Sequence, residues 1–387
     1  MEREVRSQVR AAHDIAETAR RFAEETERGR RLAGPVLTEL VDAGLMRMLV
    51  PADLGGLEVD VATMVECIEA VASGDAAAGW CLMIAATTGV TAAQLPVEGA
   101  REIYADPKVV TGGMLMPRGK AVRTDGGYRV SARWSYGSGS QHCQWMLGGS
   151  FVHGPDGPET LENGAPHMRL FFFPASDITT HDTWHVSGLR GTGSHDYEVV
   201  DVFVPEHRTA PIGGGTVWAK GPLYRFPVYG LLALGIAGVA LGIARDAIDE
   251  LVALAKGKTP TGSRRPLAER GSAQSGIAEA EAMRLSARHL LLDTVRGTWE
   301  SVAGGTKMTL RDRAMLRLAA TNTALSCAKA VDICYNLGGG TAIYEESRLQ
   351  RHFRDIHTLT QHVMVGQPTL EVVGRVLLDV PTDTSML

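Results

Sequence analysis

The spacing of apolar residues changes twice along this chain of 387 residues, and that alternation restricts the fold more than any other feature. Residues 1–108 carry apolar side chains at helical spacing. Residues 109–215 carry short β-type segments separated by Gly, Asp and Pro. Long helical patterns return at 229–257, 274–303, 308–338 and 356–378. We predict a mostly α, α+β fold with an N-terminal helical domain (1–108), a central β-barrel or sandwich (109–215) and a C-terminal helical bundle (216–387).

Charge and hydropathy narrow the possible partners. The net charge of −5 and the pI of about 6.2 provide no basic surface for nucleic acid. Two apolar runs are interpreted as core helices. Leu231–Ala244 has only 14 residues, and Ala76–Leu95 is interrupted by Gly79 and Gly89. We therefore expect no membrane partner.

Cysteine and histidine usage indicates the compartment. The five cysteines form no C-x-x-C pair, and the twelve histidines show no metal-ligand spacing. The charged N-terminus lacks the apolar core of a signal peptide. We expect buried, reduced thiols, no metal site and a cytoplasmic location.

Two motifs suggest a family. The turn Pro51-Ala52-Asp53-Leu54-Gly55-Gly56, and Gly338-Gly339-Gly340 followed by Arg351-x-x-Arg354-Asp355, resemble segments of acyl-CoA dehydrogenases. The resemblance implies a helical domain, a β domain and a four-helix bundle. It also implies a catalytic glutamate seven residues beyond Asp355, where this chain has His362. The second position at which that family carries its base has no acid either, since no carboxylate lies between Glu206 and Asp246.

Three segments of the middle region resemble a different branch of that fold. They are Gly112–Ala121, Trp134–Gly139 and Trp184–Tyr197, and they are similar to those of reduced-flavin-dependent, two-component monooxygenases. This resemblance implies a homotetrameric oxygenase that hydroxylates an aromatic or phenolic substrate through a C4a-hydroperoxyflavin. It implies reduced FMN or FAD as cofactor, with FMNH2 favoured, O2 as co-substrate and a separate NAD(P)H-dependent flavin reductase as partner.

The resemblance also suggests catalytic residues. Ser138 corresponds to the hydroxyl near flavin N5, although a serine between Gly137 and Gly139 is also typical of a turn. His362 corresponds to a base that accepts a phenol proton, and the alternative is a structural histidine of the bundle. His142 is a weaker candidate, whereas His352 and His357 are expected to face solvent or a neighbouring chain.

Further residues are candidates for holding the flavin. Trp134, Tyr136, Ser138 and Gly139 belong to a motif that abuts the flavin in the family. Either Arg264 or Arg265 corresponds to a phosphate contact from a neighbouring subunit, and a solvated basic loop is the alternative. Gly338 and Gly339 correspond to a segment that approaches the cofactor, and a helix stop explains them nearly as well. Thr192-Gly193-Ser194 matches no phosphate-binding motif, so we expect a β-domain turn near the site.

Two other functions stay open from the sequence. The first is an FAD-dependent acyl-CoA dehydrogenase whose base is not recognised. The second is a non-catalytic paralogue that keeps only the scaffold.

Overall fold

The computed structural model describes residues 2–212 and 217–387, with side chains from residue 7 onward. Five helices form the N-terminal part: α1 (Glu2–Gly29), α2 (Gly34–Asp42), α3 (Val61–Gly74), α4 (Ala76–Gly89) and α5 (Val97–Ile103). Asp60 and Asp75 cap α3 and α4 by accepting from the amides of Thr63 and Ala78, at 2.9 Å and 2.8 Å. Because only Asp75 separates α3 from α4, the chain turns sharply there and buries both helices.

Eight strands make one mixed sheet. They are β1 (Thr111–Thr124), β2 (Gly127–Gly137), β3 (Trp145–Gly154), β4 (Gly157–Pro158), β5 (Met168–Pro174), β6 (Thr179–His181), β7 (His195–Pro205) and β8 (Thr209–Pro211). Hydrogen bonds order the main path as β6-β7-β2-β1-β3-β5-β8, with β4 beside β3. The turn at Asp125-Gly126 joins β1 and β2 as an antiparallel hairpin, with Thr124 opposite Gly127.

The sheet folds over itself around an aromatic core. Tyr197 on β7 donates its hydroxyl hydrogen to the carbonyl of Leu147 on β3 at 2.6 Å, although two other strands lie between them in the sheet. Among the described residues, the hydrogen-bonded path nevertheless ends at β6 and β8 without closing. The observed architecture is therefore an open sheet bent into a sandwich-like layer, where the sequence left a barrel and a sandwich as alternatives.

The C-terminal part is the predicted helical bundle. Its helices are α6 (Val228–Gly257), α7 (Gly271–Ala303), α8 (Leu310–Gly338), α9 (Arg348–Leu359) and α10 (Pro368–Leu377). Small residues let α6 approach α3 closely, because a Cβ at Gly242 would lie only 2.5 Å from the carbonyl oxygen of Glu69. Two helical segments, Ala76–Gln94 and Val228–Gly257, are long and apolar enough to cross a membrane by length and composition alone. Most of each is buried, as predicted for core helices.

The last predicted helix, 356–378, is wrong in one important respect. The structure has α9 and α10 with a series of turns at 360–367 between them, and His362 lies on these turns. Pro368 rules out one continuous helix, since a proline in a helix interior cannot donate the hydrogen bond to the carbonyl four residues earlier. The structure places it in the first turn of α10, where that donor is not needed. Gly366 adds conformational freedom nearby.

Two further predictions concern boundaries and cysteines. Residue 108 lies between the end of α5 at Ile103 and the start of β1 at Thr111, whereas the boundary predicted between 215 and 216 lies outside the described residues. All five cysteines are buried, as expected. Among the described residues, no cluster of three or more His, Cys, Asp or Glu side chains is placed to hold a metal ion.

Candidate active site

Four polar side chains form a buried chain of hydrogen bonds where α4 meets the sheet. The indole nitrogen of Trp80 donates to the Ser138 hydroxyl at 3.1 Å. The Ser138 oxygen lies 2.6 Å from that of Ser194, which lies 2.6 Å from that of Thr192. Thr192 in turn donates to the Leu189 carbonyl at 2.8 Å. The predicted Ser138 is therefore part of an ordered polar cluster and more than a turn residue.

His362 reaches the same place from the turns between α9 and α10. Its ring centroid lies 5.7 Å from that of Trp80, with the two planes inclined by 63°. One indole thus contacts both predicted catalytic residues, which the sequence separates by more than two hundred positions. Edge-to-face contact of this kind fixes the orientation of the imidazole.

The hydrogen bonding of His362 fixes its tautomer. The Met364 amide donates to His362 Nδ1 at 3.2 Å, so Nδ1 carries a lone pair and the hydrogen of a neutral ring resides on Nε2. Burial, followed by the charge of Arg317, lowers the pKa of His362 to about 4. A neutral ring with a hydrogen on Nε2 favours a donor role, in contrast to the proton-accepting role predicted from the sequence.

Arg317 is a buried cation behind this turn. Its Nη1 lies 3.3 Å from the Met364 sulfur and donates to the Met386 carbonyl at 2.5 Å. Among the described side chains, those of residues 7–212 and 217–387, no carboxylate forms an ion pair with it. Burial without a counter-ion lowers the pKa of Arg317 to about 10, so the guanidinium is still charged at neutral pH.

The predicted Arg-Asp anchor holds α9, and hence the His362 turn, against the sheet. Asp355 Oδ1 accepts from the Leu189 amide at 2.6 Å. Arg354 donates to the Ser187 carbonyl and pairs with Glu27 at 2.7 Å. The carbonyl of the same Leu189 accepts from Thr192 at the end of the hydroxyl chain. The loop at Leu189 therefore connects α9 to that chain.

The surroundings of Ser138 fit a planar polar ligand. Tyr136 is 60% exposed and meets the Trp184 ring edge-on at 6.2 Å. Ser140 Oγ and His142 Nδ1 are buried and have no hydrogen-bond partner among the described residues. Unpartnered buried polar atoms beside exposed aromatic surface are typical of a binding site.

Comparison with known proteins identifies the family. The family described as "Acyl-CoA dehydrogenase, N-terminal domain" matches residues 1–103, and "Acyl-CoA dehydrogenase, C-terminal domain" matches residues 234–367. An indole-3-acetate monooxygenase of Pseudomonas putida is 34% identical, with 90% of this chain and 88% of that protein aligned. The FADH(2)-dependent resorcinol hydroxylase, oxygenase component, of Rhizobium sp. (strain MTP-10005) is 28% identical, with 94% and 92% aligned.

The chain belongs to the flavin-dependent monooxygenases of the acyl-CoA dehydrogenase fold. A solved structure of this monooxygenase family agrees over nearly its whole length. The HsaA monooxygenase from M. tuberculosis superposes with a TM-score of 0.90 at 27% identity, covering 99% of this chain and 100% of that one.

Trp134 does not lie where the monooxygenase resemblance implied. Its side chain is fully buried in the sheet core, stacked on Tyr197 at 5.1 Å, and its indole nitrogen donates to the Gly149 carbonyl at 2.8 Å. Trp134 and Tyr136 lie two positions apart and would face the same side of a regular strand. The register of β2 against β7 is irregular between Trp134 and Gly137, and Tyr136 has a φ of +66°, so the tyrosine turns outward while Trp134 stays in the core. Trp134 supports the site through the sheet core and has no surface left for a cofactor.

His142 also has a structural role in this monooxygenase. Its Nε2 accepts from the Leu32 amide at 3.0 Å, which ties the segment after Ser138 to the α1–α2 connection. Burial, with a smaller contribution from Arg31, lowers its pKa to about 4. His142 is therefore neutral, with its hydrogen on the unpartnered Nδ1.

The remaining predicted cofactor residues lie together at one end of the bundle. Arg264 and Arg265 are exposed on the loop between α6 and α7. Lys258, at the start of that loop, donates to the Gly338 carbonyl at 2.5 Å. Gly339 has a φ of +54°, which a glycine adopts readily. No described contact joins this group to Ser138 or His362.

Asp246 is the first carboxylate in the sequence after Glu206, and its role is structural. It pairs with Arg348, with Arg20 at 3.2 Å and with His352 at 2.8 Å. Although burial raises its pKa, these partners, led by His352, hold the pKa below the ordinary value. His352 is thus buried in an ion-pair cluster, which corrects the expectation of exposure, while His357 is partly exposed beside Asp332.

Sequence reasoning missed three contributors to the site. For Trp80, the one available signal was its position after Gly79 on an apolar helix. Ser194 was noted only as part of a turn. Arg317 gave no signal, because a buried arginine on a long helix has the same spacing as a solvated one.

Proposed function

We propose that this protein is the oxygenase component of a two-component system that hydroxylates an aromatic substrate with reduced flavin and O2. One oxygen atom of O2 enters a substrate C–H bond and the other leaves as water, with two electrons and two hydrogens drawn from the reduced flavin. The observation that carries the proposal is that Trp80 contacts two side chains at once. Its indole nitrogen donates to the Ser138 hydroxyl, and its ring packs against the ring of His362, so both side chains lie around one indole.

The residues around Ser138 suit the flavin. Reduced flavin, when bound, supplies the activated oxygen for transfer. Ser138 would hold it by a hydrogen bond, Tyr136 would contact it, and the unpartnered Ser140 Oγ and His142 Nδ1 would meet its polar edge. FMNH2 is the form we favour from the sequence, and FADH2 is the alternative, as in the name of the Rhizobium relative.

Buried thiols line the hydroxyl chain and keep it dry. Cys143 Sγ lies 3.3 Å from the Gly139 carbonyl, and Cys81 lies beside the same glycine. Burial raises the pKa of Cys143 to about 12, so the thiol stays protonated and is a poor nucleophile. These residues exclude water, which would otherwise divert activated oxygen to hydrogen peroxide.

His362 would orient the substrate through Nε2–H. An aromatic substrate with a phenolate, carboxylate or carbonyl oxygen would accept this hydrogen, and the buried Arg317 charge behind the ring would favour an anionic oxygen. This replaces the base predicted from the sequence, because the lone pair of His362 already accepts from Met364.

Acyl-CoA dehydrogenation is a weaker alternative. Its family positions hold no acid, and the first carboxylate after the gap, Asp246, is engaged by two arginines and a histidine. A purely structural paralogue would have no need for an ordered buried hydroxyl chain, since such groups are costly to bury.

We also propose a homotetramer that receives reduced flavin from a separate NAD(P)H-dependent reductase in the cytoplasm. Arg264, Arg265, Gly338 and Gly339 lie apart from Ser138 within one chain, which suits a cofactor held between subunits. Ile343 and Tyr344, just beyond the Gly339 turn, are 67% and 64% exposed and offer apolar surface for such contacts. Buried thiols suit a reducing compartment.

The proposal is tested with flavin reduced chemically under anaerobic conditions. The protein is mixed with FMNH2 or FADH2, then with O2, in the presence or absence of indole-3-acetate, resorcinol or phenol. We expect hydrogen peroxide in the absence of substrate, and less peroxide with hydroxylated product when a substrate fits. Failure to bind either reduced flavin would contradict the proposal.

A further inference from the structure

The hydroxyl chain at Ser138 has only one consistent order of hydrogens. Thr192 donates to the Leu189 carbonyl, which can only accept, so the single hydroxyl hydrogen of Thr192 is used there. The contact between Ser194 and Thr192 is 2.6 Å, and two hydroxyl oxygens at that distance need a hydrogen between them. Ser194 must therefore donate to Thr192.

The same reasoning fixes Ser138. Its oxygen lies 2.6 Å from that of Ser194, whose only hydrogen points to Thr192, so Ser138 donates to Ser194. The indole N–H of Trp80 occupies one lone pair of Ser138. Ser138 is left with one lone pair and no hydrogen for a ligand, so it can only accept.

A hydroxyl that can only accept distinguishes the two redox states of a flavin. A reduced isoalloxazine carries a hydrogen on N5, whereas an oxidised one presents a lone pair there. We infer that Ser194 and Thr192 are positioning residues that fix Ser138 as an acceptor and thereby make the site select reduced over oxidised flavin. The inference rests on the proposed function, since it takes Ser138 as the partner of the flavin.

Burial keeps the order from relaxing. Trp80, Ser138, Thr192 and Ser194 are all at least nine-tenths buried, so bulk water offers no alternative partner. Three hydroxyl hydrogens serve three close oxygen–oxygen contacts, Ser138–Ser194, Ser194–Thr192 and Thr192–Leu189, so turning the Ser138 hydrogen towards a ligand would leave one of them without a hydrogen. The Leu189 end is also held, because its amide donates to Asp355.

The test compares affinities for the two redox states under anaerobic conditions. Oxidised and reduced FMN and FAD are titrated into folded protein, and the midpoint potential of bound flavin is measured. Thr192→Val and Ser194→Ala each free the Ser138 hydrogen to point at the ligand. We expect the ratio of oxidised to reduced dissociation constants to fall by about tenfold, as one neutral hydrogen bond changes partner. The bound potential should fall by about 30 mV.

Two controls separate this from a general packing defect. Thr192→Ser keeps the hydroxyl and should keep the wild-type ratio. Ser150→Ala removes another buried serine of the same sheet, whose hydroxyl has no partner in the protein, and should leave the ratio unchanged. If Thr192→Val and Ser194→Ala bind flavin with the wild-type ratio, the inference is wrong. If folded wild-type protein binds neither redox state, the proposed function itself fails.

Discussion

The indole N–H of Trp80 donates to the Ser138 hydroxyl at 3.1 Å, which joins the N-terminal helices to the sheet at the candidate site. The ring of the same Trp80 also contacts the ring of His362, on the turns between α9 and α10. Each part of the chain thus contributes one member of a three-residue set, and loss of the indole would separate the other two.

Replacing Trp80 by Phe should therefore uncouple oxygen use from hydroxylation. Phenylalanine keeps an aromatic ring near His362 but leaves Ser138 without its N–H donor. We expect peroxide release per O2 consumed to rise, on the order of tenfold, with reduced-flavin affinity changed less. Trp145→Phe, a partly buried tryptophan of β3, provides the matched control. Equal coupling in the two variants would show that the indole nitrogen has no part in the reaction.

Substitution of His362 distinguishes a donor from a base. Glutamine offers an amide N–H in place of Nε2–H but cannot take up a proton, whereas alanine offers neither. If His362 donates, His362→Gln should keep substrate affinity and hydroxylation rate within about tenfold of wild type for whichever of indole-3-acetate, resorcinol and phenol is a substrate. His362→Ala should lose about 10- to 100-fold in substrate affinity. If both variants fold and the glutamine variant is as inactive as the alanine variant, the result would favour His362 as a base.

Arg317 should control the protonation of His362. Burial and the Arg317 charge lower the pKa of His362 to about 4, below the ordinary value, so the unfolded chain binds more protons between about pH 4 and 6.5. The stability linked to the neutral ring is thus complete above that range and is lost as pH falls through it. In Arg317→Met we expect the pKa of His362 to rise, measured by NMR titration of ¹⁵N-histidine in flavin-free protein. Arg311→Met, exposed on the same helix, is the control, and an unchanged titration in Arg317→Met would refute the electrostatic coupling.

Asp355 provides a test of pH-dependent stability. Burial, together with the charges of Asp75 and Glu27, raises its pKa to about 7. The folded protein then binds a proton that the unfolded chain has released, so this contribution is complete below the ordinary pKa of 3.8 and is lost as pH rises through about 7.

Asp355→Asn keeps an oxygen for the Leu189 amide without a charge. We expect its free energy of unfolding, relative to wild type, to increase between about pH 5 and about pH 8 in urea titrations. The exposed Asp293→Asn should show no such trend. A constant difference across this range would mean that Asp355 ionises normally in the folded protein.

The order of helices and strands was predictable because apolar spacing reports which face of each element is buried. The sequence predicted α6, α7 and α8 to within about three residues, and placed the short β segments within residues 109–215. It extended a helix through His362 because the apolar pattern continues there, although Pro368 fits only the first turn of a helix and not its interior.

The site was predictable only where a local motif marked it. Ser138 and His362 were identified by their neighbours in the chain, but their common contact, Trp80, depends on packing between three parts of the fold. Trp134 was assigned to the cofactor because its motif could be recognised while its inward direction along β2 could not. Arg317 could be recognised only in the structure, because it is buried and no carboxylate among the described side chains pairs with it.

Isotopic labelling shows whether this protein inserts an oxygen atom of O2 into an aromatic substrate. Protein holding reduced flavin is mixed with ¹⁸O₂ and the aromatic substrate that most suppresses peroxide release, and the product is analysed by mass spectrometry. We expect a hydroxylated product that carries one ¹⁸O atom and is lost in Ser138→Ala in favour of labelled peroxide. A product without ¹⁸O, or a desaturated acyl thioester formed in the same protein, would contradict the proposed function.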